Sequence, residues 1–296
     1  MSHVVVLISD PAGPAVTPAL AEAVRTAAGG HAPRWLMEAV ACDIALPGPV
    51  TEPKTLEAGL RGVLAGAPVD LAVLPAQGRR KRLLLADMDS TIIGQECIDE
   101  LADLVGLKTH VAAITERAMR GEIAFEPALR ERVALLEGIE LGTLRRLIGE
   151  RITVNPGAAT LVATMRANGA YAALVSGGFT FFTSEIAARV GFDENRANEL
   201  LVDGDRLIGE VREPILGRDA KRRALGELTA RLGIPADASI AVGDGANDLA
   251  MLDAAGLGVA YRAKPTVAEA ADVRIDHGDL TALLFLQGYS AGEFTG

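Results

Sequence analysis

Arg82-Leu83-Leu84-Leu85-Ala86-Asp87-Met88-Asp89-Ser90-Thr91 is the segment on which the fold turns. An apolar run with no polar alternation is what a strand buried on both faces of a parallel sheet requires. It ends abruptly in two aspartates. Residues two apart in an extended segment point the same way, so Asp87 and Asp89 are expected together at the carboxyl edge of the sheet. Open α/β folds place their ligands at that edge. Two carboxylates so close repel, and one of them holds a proton unless a cation intervenes. Oxygen ligands favour a hard ion such as Mg²⁺. The plain alternative is an Asp-rich turn that caps a helix.

Downstream, the pattern turns wholly helical, with helices expected at 96–105, 109–120, 125–137 and 143–151. From 157 helices and strands alternate: helix 157–168, strand 171–175, helix 180–190, then two short strands within 198–211 around Asp203-Gly204-Asp205. Helix 219–232, strand 239–243, helix 246–254, strand 257–260, helix 265–271 and strand 273–275 complete the series. The expected fold is α/β: a doubly wound, Rossmann-like parallel sheet with an all-helical cap inserted after its first core strand. Upstream, an apolar strand at 4–8 precedes a helix that starts at Thr17-Pro18 and ends near Gly29-Gly30. A strand at 35–46, a helix at 54–65 and a strand at 70–74 follow. Residues 1–78 therefore read as a small accessory α/β domain of ferredoxin-like type. Residues 79–296 form the main domain, with core 83–93 and 153–290 and cap 94–152. The basic run Arg79-Arg80-Lys81-Arg82 reads as a solvated linker between them.

Three further clusters follow apolar strands or open helices. Gly243-Asp244-Gly245-Ala246-Asn247-Asp248 combines close backbone approach, a helix expected from Ala246 and two more carboxylates for the same metal. Ser176-Gly177-Gly178 offers a hydroxyl beside backbone N–H groups, which suits an anion. Lys221 lies near a helix start and is one of only 5 lysines among 29 basic residues, so its position is informative.

In this order the four clusters resemble the motifs of the haloacid dehalogenase-like phosphohydrolases: DxDxT, a Ser or Thr, a Lys, and GDxxND. The resemblance spans about residues 83–276, and the enzymes resembled often carry a small regulatory or ACT-like domain in the place of residues 1–78. It implies Asp87 as a nucleophile that forms an aspartyl-phosphate, and Asp89 as general acid and base. It also implies Mg²⁺ on Asp87, the Asp89 carbonyl and Asp244, with Asp248 in the outer shell. Ser176, the Gly177 N–H, Lys221 and Asn247 would hold phosphoryl oxygens. The segments DMDSTIIGQE and Met119-Arg120-Gly121-Glu122-Ile123-Ala124-Phe125, followed by Leu129-Arg130-Glu131-Arg132, are similar to those of phosphoserine phosphatases. By that resemblance Glu96 accepts the ammonium of O-phosphoserine, Arg132 grips its carboxylate, and Met119 and Phe125 close an apolar lid. The implied reaction is hydrolysis of O-phospho-L-serine, the last step of serine biosynthesis. Phosphothreonine or phosphohomoserine chemistry, phosphotransfer, and a non-catalytic phosphometabolite sensor stay open as alternatives.

Composition narrows the partners. Of 296 residues, 49% are hydrophobic, which excludes a wholly disordered chain. A formal charge of −10 argues against a general nucleic-acid binder. The two cysteines are too few for a disulfide framework and point to a reducing compartment. No apolar run reaches membrane-spanning length, and the start lacks signal-peptide character, so a cytoplasmic location is expected. A homodimer and an amino-acid effector at the N-terminal domain are open as further partners.

Overall fold

The computed structural model describes residues 2–119, 122–217 and 219–296, without the side chains of residues 118 and 119. The lid position expected of Met119 therefore falls outside the described side chains.

The N-terminal unit runs β1 (His3–Ile8), α1 (Pro18–Ala28), β2 (Arg34–Met37), β3 (Ala41–Ala45), α2 (Pro53–Arg61) and β4 (Asp70–Pro75). Its sheet has order β2-β3-β1-β4 with every pair antiparallel. Thr17 starts α1 by accepting the Leu20 N–H on Oγ1 at 3.1 Å, and Gly29 at φ +62° ends it. The single strand expected over 35–46 is in fact two, because the chain turns at Ala39, whose φ is +59°. Val5 and Leu7 pack under the two helices, whereas Val4, Val6 and Ile8 join the main core. Burial on both faces explains the uninterrupted apolar run at 4–8.

The main sheet begins with β5 (Leu83–Ala86), followed by the insertion helices α3 (Cys97–Leu104), α4 (Lys108–Met119), α5 (Phe125–Ala134) and α6 (Leu141–Glu150). The chain continues through α7 (Ala158–Ala167), β6 (Tyr171–Phe179), α8 (Thr180–Val190), β7 (Glu194–Asn198), β8 (Leu200–Asp203) and β9 (Arg206–Val211). It ends with α9 (Ala220–Leu232), β10 (Ser239–Gly243), α10 (Leu249–Ala254), β11 (Gly258–Tyr261), α11 (Pro265–Ala270), β12 (Val273–Ile275) and α12 (Ala282–Leu286). Six strands form a parallel sheet in the order β12-β11-β10-β5-β6-β7, while β8 and β9 pair as a separate hairpin. Leu83 and Leu85 face α9, α10 and α11; Leu84 and Ala86 face the opposite core with α7, α8 and α12. The chain leaves β5 toward β6 on one side and later returns to β10 on the other. β5 therefore lies at the switch point, where a crevice opens above the strand ends.

Helix α10 starts at Leu249 rather than at Ala246. The Asp248 carboxylate accepts the Asp244 and Gly245 N–H groups at 3.2 and 3.0 Å and folds that stretch into a turn instead. The linkers on either side of the insertion are laced together. Gly94 N–H donates to the Thr153 carbonyl at 3.1 Å, and the Gln95 amide both donates to Thr153 Oγ1 and accepts its N–H.

The basic run is exposed at Arg80 and Arg82 but not at its first residue. Arg79 is nearly buried, paired with Asp43 at 2.7 and 3.0 Å and donating to the carbonyls of Leu286 and Phe285, both at 2.8 Å. A guanidinium with four acceptors satisfied in this way is a fixed joint. Asp70 reinforces it from β4, accepting the N–H groups of Asp276, His277 and Gly278 at 2.8, 3.1 and 2.8 Å. Between the two sheets lies α12, all five residues of which are buried. Among the described residues no helix is long and apolar enough to cross a membrane.

Candidate active site

The carboxyl ends of β5, β6 and β10 meet because Ala86 pairs with Leu174 on one side and with Val242 on the other. Asp87 follows directly, its N–H donating to the Val242 carbonyl at 3.0 Å. It is 5% exposed. Oδ1 accepts the Met88 N–H at 2.7 Å and pairs with Lys221 Nζ at 2.7 Å. Oδ2 has no protein partner among the described residues. Lys221, 4% exposed on the first turn of α9, also reaches Asp248 Oδ1 at 2.6 Å. A bland surface lysine is thus excluded.

Asp248 is 0% exposed, and its two oxygens are engaged by Lys221 and by backbone N–H groups. Its close approach explains Gly243, where a Cβ would lie 2.4 Å from the carboxyl group. Asp244 accepts from Thr91 Oγ1 at 3.3 Å, and its carbonyl accepts the Lys264 N–H at 3.2 Å. Oxygens of Asp87, Asp244 and Asp248 lie within 4.8 Å of one another.

Burial, and then the Asp248 charge, raise the Asp87 carboxyl well above the usual range, although Lys221 opposes them. Asp244 is raised by the same two causes. Burial works against the charge on Lys221, but Asp87 and Asp248 outweigh it and push its pKa up. Three carboxylates against one ammonium leave a surplus of negative charge in a desolvated place. A hard divalent cation fits that donor set, and Mg²⁺ suits it by ligand type.

Asp89 does not join this cluster through its carboxylate. Asp87 and Asp89 both have extended backbone angles, but Met88 between them is coiled, so the two side chains are not aligned as they would be in a strand. Asp89 turns instead toward α3 and β6, accepting the Cys97 N–H at 3.0 Å and the Ser176 hydroxyl at 3.3 Å. Burial raises its pKa. Ser176 Oγ in turn accepts the Gly178 N–H at 2.9 Å. A Cβ at Gly178 would sit 3.1 Å from both Asp89 Oδ2 and Ser176 Oγ, so this turn has no room for a side chain. Gly177 lies beside it, under Phe125: a Cβ there would be 3.6 Å from the ring. Phe125 thus reaches from the insertion onto the Ser176 turn. Asn247 is exposed beside Gly245.

Glu96 accepts from Ser90 Oγ at 2.7 Å. Although exposed by surface area, its carboxyl is crowded by protein, and that desolvation together with the Asp89 charge raises it to about 7. Arg132 is half-buried on α5, donating to the Ala128 carbonyl at 3.2 Å and loosely to Thr115 Oγ1 at 3.4 Å. Among the described residues it makes no ion pair. Burial lowers its pKa, and it feels the charges of Asp99 and Glu96.

Sequence reasoning missed the residues that hold these groups. Ser90, Thr91 and Cys97 fix Glu96, Asp244 and Asp89, and Asn155 Nδ2 donates to the Thr91 carbonyl at 2.7 Å. The first two lie inside the quoted DxDST motif, which was the one available signal.

A family model described as haloacid dehalogenase-like hydrolase matches residues 84–253, more than half of the chain. The chain is a haloacid dehalogenase-like hydrolase. Among relatives of this hydrolase, a phosphoserine phosphatase from Albidiferax ferrireducens is 50% identical over 210 residues, 69% of this chain and 89% of that one. A HAD family hydrolase from Salmonella enterica serovar Typhi superposes with a TM-score of 0.86 at 30% identity, covering 96% of this chain and 98% of that one. A solved phospho-aspartyl intermediate analogue of phosphoserine phosphatase matches with a TM-score of 0.64 at 38% identity, covering 70% of this chain and 98% of its own. The hydrolase therefore falls among the phosphoserine phosphatases of its family.

Proposed function

We propose that this enzyme hydrolyses O-phospho-L-serine to serine and phosphate through an aspartyl-phosphate on Asp87, as the last step in making serine. The observation that carries the reading is the placement of Asp87: buried at the switch point, held through Oδ1 by Lys221, with Oδ2 left without a protein partner among the described residues. Oδ2 attacks phosphorus and the bond to the serine oxygen breaks. Asp89, whose carboxyl burial pushes toward the protonated form, gives a proton to the departing alkoxide. The same carboxylate then takes a proton from the water that cleaves the acyl phosphate, which frees phosphate and restores Asp87. Ser176, the Gly177 N–H, Lys221 and Asn247 hold the phosphoryl oxygens while charge moves between them.

Mg²⁺ would be held by Asp87, the Asp89 carbonyl and Asp244, and when bound it screens the phosphate dianion from the attacking carboxylate. Asp248 belongs to the outer shell, since both its oxygens are already engaged. Glu96 receives the substrate ammonium and Arg132 its carboxylate, with Met119 and Phe125 as the apolar lid of a helical cap. A fixed anion and a fixed cation facing one ligand select a zwitterion. We read residues 1–78 as a ferredoxin-like accessory unit, an interpretation supported by its strand order.

The test is phosphate release from O-phosphoserine, O-phosphothreonine and O-phosphohomoserine, with and without Mg²⁺. Turnover should be fastest on phosphoserine and vanish when the metal is chelated. Absence of turnover at saturating Mg²⁺ and phosphoserine would sink the assignment. Arg132→Ala should raise KM for phosphoserine by about 10–100-fold, as expected for a charge-assisted bond worth about 1.5–3 kcal/mol. Hydrolysis of p-nitrophenyl phosphate, which has no carboxylate, should change little; an unchanged KM for phosphoserine removes Arg132 from the substrate site.

A further inference from the structure

Between the pairs Val175–Arg196 and Phe179–Asn198, β6 contains Ser176, Gly177 and Gly178 where β7 has only Ala197. The ladder cannot serve all of these extra peptide groups, and a buried carbonyl left without a donor is costly. Asn198 supplies the missing donor. Its side chain is nearly buried, 2% exposed, and Nδ2 donates to the Gly177 carbonyl at 2.9 Å. The Leu216 N–H donates to Oδ1 at 2.7 Å. That second bond fixes which end of the amide faces Gly177.

We propose that Asn198 is a positioning residue for the phosphoryl-transfer site, acting on Ser176 and Asp89 through the Gly177–Gly178 peptide. In a planar trans peptide the carbonyl and the following N–H point in opposite directions. Anchoring the Gly177 oxygen on Asn198 therefore turns the Gly178 N–H the other way, onto Ser176 Oγ at 2.9 Å. With one lone pair taken by that N–H, the Ser176 hydroxyl directs its proton to Asp89 Oδ2 at 3.3 Å. Asn198 touches neither aspartate; it sets the angle from which Ser176 meets Asp89 and the phosphoryl group. The inference rests on the proposed role of Ser176 and Asp89.

Asn198→Asp keeps the size of the side chain and the acceptor for Leu216, but places an oxygen against the Gly177 carbonyl. It is expected to lower kcat at least tenfold while KM changes less than threefold. In a Ser176→Ala background the same substitution should cost less than threefold, because residues acting through one another are not additive. Asn198→Ala supplies the same cycle should the aspartate variant fail to fold, with thermal melting as the check. Running the cycle on p-nitrophenyl phosphate as well keeps it readable if phosphoserine is the wrong ester. Wild-type kcat in a folded variant, or equal factors in the two backgrounds, would overturn the proposal.

Discussion

Asp87→Asn is expected to slow phosphoserine hydrolysis by on the order of 10⁴-fold or more while leaving the protein folded. An amide matches a carboxylate in shape but is a poor nucleophile, so the loss falls on the chemical step rather than on binding. The fold should survive because Lys221 keeps its second partner, Asp248 at 2.6 Å. Removing the charge of Asp87 also relieves the repulsion by Asp248 and Asp89 that helps to raise its carboxyl. The melting temperature without Mg²⁺ should therefore hold or rise. Two measurements decide the matter together. Steady-state kcat should collapse, and label from ³²P-phosphoserine should precipitate with acid-quenched wild type but not with the variant. Full activity in Asp87→Asn would show that phosphate leaves directly to water and that Asp87 only holds charge.

The core sheet was legible because its strands are unbroken apolar runs and each candidate motif begins where such a run stops. Asp87, Ser176 and Asp244 could be placed at one sheet edge on that basis alone. β7 escaped notice because Glu194–Asn198 is a polar edge strand whose only buried residue is Asn198. Edge strands lack the apolar pattern that flags central ones. The turn at Ala39 has no glycine or proline to announce it. Arg79 looked solvated because its partner, Asp43, is far away in sequence and lies on another sheet. The alignment of Asp87 with Asp89 assumed an extended chain, and the coiled backbone at Met88 between them defeats that assumption. Local pattern thus located the reacting groups. The hydrogen bonds that aim them were harder to read: the motif contains Thr91, but its bond to Asp244, like that of Asn198 to Gly177, joins groups that meet only in the folded sheet.

Deleting residues 1–78 should leave an aggregating protein, even though a solved relative that is 98% covered matches only 70% of this chain. Chemistry is not the reason, since every candidate catalytic side chain lies beyond Arg79. The cause is what the N-terminal sheet covers. Val4, Val6, Ile8, Leu36, Val40, Ala72 and Leu74 share one buried core with Leu283, Leu284, Phe285 and Leu286. At about 1.5–3 kcal/mol for each large side chain buried, baring this face removes stability on the scale of about 5–15 kcal/mol that holds a whole domain. Arg79 would lose Asp43, and the N–H groups of Asp276, His277 and Gly278 would lose Asp70. An apolar patch of this kind on a soluble protein drives association. Expression of 79–296 should give mostly insoluble material, and polar substitutions at Leu283 and Leu286 should recover part of it. Any soluble fraction should keep kcat on phosphoserine within a few-fold of the full chain, because the strand ends that carry Asp87, Ser176 and Asp244 are set by the six-stranded sheet. A soluble, monomeric 79–296 with an unchanged melting temperature would mean that the N-terminal sheet rests on the core without bracing it.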